Sequence, residues 1–250
     1  MKNSLHKAAG AILVTIFMSD SLVGQQRAMM FEGTMKKEVN AGYLISYPKE
    51  YDSGKVKKWP LILFLHGSGE RGNDLELVKK HGPPKLVAEG QQLDFVIVSP
   101  QCPELEDWST DVLISLLEDV IEKNRIDTNR IYLTGLSMGG WGTWNLAIEH
   151  PDKFAAIAPV CGRVDRNALA KASRLQNVPA WVFHGAMDPV VPVTESGRMV
   201  SELRKIDAPV RFTVYPEVGH DSWTETYVNA ELYNWFLSHS KSHGSSDLEE

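Results

Sequence analysis

The chain has 250 residues, 43% of them hydrophobic and 23% charged, the proportions of an ordinary globular protein rather than a disordered or fibrous one. Its 26 basic and 32 acidic residues leave a net charge of −6, which argues against nucleic acid or an anionic membrane surface as a partner. Two cysteines, Cys102 and Cys161, are too few for a disulfide scaffold or a four-cysteine zinc site.

Lys2, His6 and Lys7 precede an apolar run from Ala8 to Met18 and then Ser19, Asp20 and Ser21, the order of a secretory signal peptide. The run is too short to span a bilayer, which takes about 20 apolar residues. Residues 1–24 are therefore expected to be removed on export, leaving a single domain over residues 25–239 and a disordered polar tail over 240–250.

Phe31–Val39 and Gly42–Tyr47 read as an antiparallel pair at a sheet edge, where Pro48 ends a strand harmlessly. Apolar, β-rich runs follow at Leu61–Leu65, Phe95–Ser99, Arg130–Thr134, Phe154–Pro159, Ala180–Phe183 and Val210–Tyr215. Their continuous hydrophobicity suits parallel strands covered on both faces. Helical stretches alternate with them at Asp74–Glu89, Thr110–Asn124, Met138–Glu149, Thr194–Lys205 and Trp223–Ser238. In the second of these, Val112, Leu113, Leu116, Leu117 and Val120 recur at spacings of three and four, which puts one face on the sheet. The alternation predicts an α/β fold with a mostly parallel central sheet and helices on both faces. In such sheets ligands bind beyond the carboxyl ends of the strands, so the strand exits are where chemistry is sought.

At the exit of Arg130–Thr134 stands Gly135-Leu136-Ser137-Met138-Gly139, a G-x-S-x-G between a strand and a helix. Such a turn is tight enough to strain the serine and excludes side chains beside it, leaving Oγ exposed. Ser137 is the candidate nucleophile. The chain order Ser, acid, His then directs attention downstream. His220, in Gly219-His220-Asp221 after the last strand, is the candidate general base, because His239 ends the last helix and His243 lies in the tail. Asp188, following Ala180–Phe183, is the candidate acid that orients His220; Asp165 is the alternative, and Asp221 is too near in sequence to point back. The expected oxyanion donors are the N–H of Met138, next to the nucleophile, and that of Ser68 in His66-Gly67-Ser68-Gly69. His66 is read as a structural hydrogen-bonding residue below the site.

The same loop matches G-x-G-x-x-G, but Glu70 would put a carboxylate among pyrophosphate oxygens, and the next helix begins beyond the glycines. No metal or cofactor is implied. Gln101 and Trp108, at and after the second strand exit, are candidate substrate contacts, Trp108 either as an aromatic wall of the site or as plain packing. Trp141 and Trp144 read as core. Cys102 and Cys161 follow different strands, and both read as free, buried thiols.

The segments His66–Gly72, Ser99–Pro103 with Trp108, Gly135–Gly140, Ala158–Gly162 and Gly219–Trp223 resemble the α/β-hydrolase superfamily. More narrowly, they are similar to secreted bacterial carboxylesterases of the phospholipase/carboxylesterase and polyhydroxybutyrate-depolymerase-like group, relatives of feruloyl and acetylxylan esterases and of prolyl-oligopeptidase-type peptidases. The resemblance implies a cofactor-free serine carboxylesterase acting on small or polymer-attached esters. About twenty residues separate Phe154–Pro159 from Ala180–Phe183, too few for a cap. A serine peptidase, or a binding module on a hydrolase scaffold, is the alternative.

Overall fold

The computed structural model describes residues 28–30, 32, 38–53 and 56–241. The expected signal peptide, most of Phe31–Val39 and nearly all of the tail lie outside these residues. Of Met1–Lys37, the described positions are exposed coil; Glu38–Glu250 is a unit of its own.

The strands are β1 (Tyr43–Ser46), β2 (Trp59–Leu65), β3 (Val96–Pro100), β4 (Ile126–Leu136), β5 (Ala156–Val160), β6 (Ala180–Gly185) and β7 (Val210–Tyr215). They form one seven-stranded sheet in the order β1-β3-β2-β4-β5-β6-β7, parallel except for β1, which runs antiparallel to β3 at the edge. The edge strand thus pairs with β3. The helices are α1 (Gly82–Ala88), α2 (Thr110–Lys123), α3 (Met138–Glu149), α4 (Arg166–Ala170), α5 (Val193–Lys205), α6 (Trp223–Val228) and α7 (Ala230–Leu237).

Strand residues alternate between two apolar layers, as the two-residue period of a strand requires. Leu61, Leu63 and Leu65 of β2 join Leu113, Leu117 and Val120 of α2 and Met199 and Leu203 of α5 on one face. Ile62 and Phe64 join Tyr132, Trp181, Phe183, Tyr227 and Phe236 on the other. Both faces being covered explains why the strands read as unbroken apolar runs. Each such aliphatic side chain contributes about 2 kcal/mol of transfer free energy.

Proline and polar residues account for the departures from expectation. Pro60 sits in a central strand without an N–H to give, and the β2–β4 register slips between Trp59 and Leu61 to accommodate it. The expected helix Asp74–Glu89 divides into a 3-10 segment, Leu75–Lys80, and α1, because Gly82 takes φ +67 and Pro83-Pro84 follow it. Trp223–Ser238 divides at Asn229, whose side chain accepts from the Glu231 N–H and so starts α7 afresh. Both cysteines are free and buried, on strand ends that β2 and β4 separate. Among the described residues no helix is long and apolar enough to cross a membrane.

Candidate active site

The exits of β2, β4, β5, β6 and β7 meet at one end of the sheet, and backbone crowding brings them together. Ser137 sits between β4 and α3 with φ 52 and ψ −113, a left-handed conformation that an L-residue adopts only under constraint. Gly139 supplies the room: a Cβ there would lie 2.0 Å from the Leu65 carbonyl oxygen. Gly140 and Gly162 play the same part between α3 and the β5 exit, each with the other's backbone under 3 Å from where its Cβ would stand. The Ser137 N–H is anchored to the Val160 carbonyl at 2.9 Å.

Gly185 does the equivalent for the last two loops. Its Cβ would meet the Gly219 carbonyl oxygen at 2.1 Å, so the loop carrying His220 lies directly against the loop carrying Asp188, and Met187 N–H donates to Val218 O at 3.0 Å. The three side chains form a continuous series. His220 Nε2 lies 2.9 Å from Ser137 Oγ, and His220 Nδ1 lies 2.7 Å from Asp188 Oδ2. Asp188 Oδ1 accepts from the Val190 and Val191 N–H groups at 2.8 and 2.9 Å. Burial alone would raise the Asp188 pKa, but the hydrogen bond from His220 and those from Val191 and Val190 outweigh it and hold the carboxyl below its ordinary range. His184, fully buried, donates from Nε2 to Val191 O at 2.8 Å and has the same nitrogen 3.3 Å from Asp188 Oδ2, while Nδ1 accepts from Ser196 Oγ at 2.8 Å. Burial lowers its pKa.

Asp165 is engaged elsewhere: it caps α4 by accepting from Ala168 N–H at 2.8 Å and accepts from Trp141 Nε1 at 3.0 Å. Ser68 and Met138 line the same hollow as Ser137, a cavity of about 230 Å³. His66 is buried and neutral, its Nδ1–H donating to Gly67 O at 2.6 Å and its Nε2 accepting from Cys102 N–H at 3.0 Å; burial brings its pKa down to about 4.

Two expected substrate contacts stand apart from that cavity. Gln101 is buried, and its amide nitrogen donates to the Glu70 and Asp74 carbonyls at 2.9 and 2.8 Å, holding a loop. Trp108 packs its ring on His66 at 4.7 Å and donates from Nε1 to His66 O at 3.2 Å. They line a separate hollow of about 60 Å³. Trp141, read from sequence as core, instead lines the Ser137 cavity with Arg163, whose guanidinium carbon lies 3.9 Å from its ring centroid. The position of Trp141 four residues after the nucleophile, on the first turn of α3, was the available signal. Trp144, one turn on, is fully buried as expected. Trp223 stands edge-on to His220 at 5.2 Å.

Among the described residues one group of metal-ligating type comes together, Cys161, Asp188 and His220, with ligand atoms within 4.8 Å of one another. Asp188 and His220 are already bonded to each other, and burial pushes the Cys161 thiol up to about 12.

A family profile described as "Dienelactone hydrolase family" matches residues 22–230. Among curated proteins, the chain is 27% identical over 145 residues to a putative esterase, NocK, of Nocardia uniformis subsp. tsuyamanensis, covering 53% of this chain and 41% of that protein. It is 27% identical over 187 residues to the bifunctional acetylxylan esterase/xylanase XynS20E of Neocallimastix patriciarum, covering 70% and 26%. The chain thus spans less than half the length of either. A solved structure of a thermostable esterase is 35% identical with a TM-score of 0.69, covering 81% of this chain and 60% of that one. That of a ferulic acid esterase, 21% identical with a TM-score of 0.58 over 78% and 92%, shares the fold. The architecture is that of the α/β-hydrolases.

Proposed function

The chain belongs to the dienelactone hydrolase family, and from that premise we propose that it is a serine carboxylesterase working through an acyl-enzyme. One observation carries the proposal: the unbroken series from Ser137 Oγ to His220 to a buried Asp188, at 2.9 and 2.7 Å, beginning on a strained strand-to-helix turn. Ser137 Oγ attacks the ester carbonyl while His220 Nε2 takes its proton. Asp188 fixes the His220 tautomer and stabilises the imidazolium. The N–H groups of Ser68 and Met138 receive the oxyanion. His220 returns the proton to the leaving alcohol, and water, activated by the same base, releases the acid.

The segment between β5 and β6 holds only α4 and the 3-10 turn Ala172–Leu175, so among the described residues no cap stands over the cavity. An open site admits an acyl group attached to something large. The substrates proposed are acetyl or feruloyl esters of polysaccharide, which agrees with the named activities of the acetylxylan esterase/xylanase and ferulic acid esterase relatives. The order of charges and apolar residues in 1–24 supports export.

Ser137→Ala is expected to lower kcat on p-nitrophenyl acetate by roughly 10⁴-fold or more with the fold intact by circular dichroism. A fluorophosphonate should label Ser137 in the wild type. Wild-type turnover by the variant would overturn the assignment, and hydrolysis of methyl ferulate and acetylated xylan measured side by side would separate the two proposed acyl classes.

A further inference from the structure

The orientation of the Ser68 N–H cannot come from the backbone preferences of its own loop. Gly67 stands at φ −80 and ψ −179, where a Cβ would come within 2.8 Å of Leu136 Cδ1, and nothing lies within 4 Å of a Cβ at Gly69. The torsions of Gly67 set the direction of the peptide unit that carries the Ser68 N–H, and a glycine imposes little conformational bias of its own. Because a peptide unit is planar and trans, the Ser68 N–H points opposite to the Gly67 carbonyl. Whatever grips this unit and the one before it therefore aims the donor. The Gly67 carbonyl accepts from His66 Nδ1 at 2.6 Å and from Glu70 N at 3.4 Å. The preceding unit is held at both ends, with His66 O accepting from Trp108 Nε1 at 3.2 Å and Gly67 N–H donating to Glu70 Oε2 at 3.0 Å.

Glu70 is 6% exposed, an expensive place for a carboxylate unless its hydrogen bonds are required. It is itself secured: its carbonyl accepts from Gln101 Nε2 at 2.9 Å, and Oε1 lies 3.8 Å from His81 Nε2. We propose that Glu70 is a positioning residue for the oxyanion donor, its carboxylate clamping Gly67 N–H so that the next peptide unit presents Ser68 N–H to the tetrahedral intermediate. Gln101 holds the clamp in place. This rests on the esterase mechanism with Ser68 as donor.

The test uses Glu70→Leu, which removes the acceptor at similar volume, and Glu70→Gln, which restores one through its amide oxygen. Misaiming one oxyanion donor costs about 10²-fold in kcat, and Glu70→Leu is expected to approach that with KM changed less than threefold. The inhibition constant of an aryl trifluoromethyl ketone, which forms a tetrahedral adduct, should rise by the same factor as kcat/KM falls. Glu70→Gln should recover most of both losses. A loss of active fraction alone would leave the inhibition constant unmoved, and that result, or kcat retained in Glu70→Leu, overturns the proposal. If Glu70→Leu does not fold, Gln101→Leu frees the Glu70 carbonyl with the carboxylate intact. It should shift kcat and the inhibition constant in parallel by about fivefold, a fraction of the full donor effect; an unchanged constant there overturns the proposal. A wild type that neither binds the ketone nor labels at Ser137 would sink the esterase mechanism itself.

Discussion

At Asp188 both carboxylate oxygens are occupied, Oδ1 by two backbone N–H groups and Oδ2 by His220, with His184 behind it. An amide in its place would turn an NH₂ toward either those backbone donors or the His220 N–H, breaking the pattern whichever way it is flipped. Asp188→Asn is expected to lower kcat by about 10⁴-fold through the wrong imidazole tautomer, with KM little changed; steady-state kinetics on a p-nitrophenyl ester check it, and a loss confined to KM would contradict the role. The residue scale is also where sequence was least informative. Ser137, Asp188 and His220 are legible because a strand exit and a chain order constrain them. Gln101 and Trp108 stand at a strand exit too, yet their side-chain N–H groups are spent on the Glu70, Asp74 and His66 carbonyls. Which partner a side chain finds depends on neighbours distant in sequence.

Among the elements, close approach of β2, β4 and α3 governs the nucleophile turn. A Cβ on Gly139 would stand 2.0 Å from Leu65 O, a backbone atom of a central strand that cannot step aside, whereas one on Gly69 would meet nothing within 4 Å. Gly139→Ala is expected to destabilise the protein by about 3 kcal/mol or more, the range of severe steric substitutions, and Gly69→Ala by less than about 1 kcal/mol. Urea unfolding of the two variants checks the contrast; equal midpoints would contradict it. The element boundaries were legible where hydrophobic periodicity was strong, as in α2, whose buried face is Leu113, Leu116, Leu117 and Val120. They were not where a local backbone feature interrupts a continuous pattern, as Gly82 at φ +67 does at the start of α1 and Asn229 does between α6 and α7.

At the scale of the whole molecule, two neutral imidazoles, His66 and His184, are buried beneath the reactive end among the described residues. Burial lowers the His66 pKa to about 4 and lowers that of His184 as well. An unfolded chain protonates these residues near pH 6.5. As pH falls through 6.5 the unfolded state gains protons that the folded state refuses, so stability drops until the folded pKa is reached. For His66 the loss is on the order of 3 kcal/mol across pH 6.5 to 4. Asp188 adds a loss of the same sign below its unfolded value of about 3.9. Urea midpoints measured at steps from pH 7.5 to 4 should fall, and His66→Gln should flatten the slope; identical slopes in variant and wild type would count against this account.

The sequence alone determined the α/β architecture, the alternation of strands and helices and the strand exits where Ser137, Asp188 and His220 would stand, because periodicity and chain order are properties of the chain itself. Tertiary structure decided the rest: that Trp141 and Arg163 rather than Trp108 and Gln101 line the Ser137 cavity, and that Glu70 holds the Gly67 N–H. These depend on hydrogen bonds and packing between loops from different strands, and no local pattern encodes which of several polar atoms at crowded strand ends will meet.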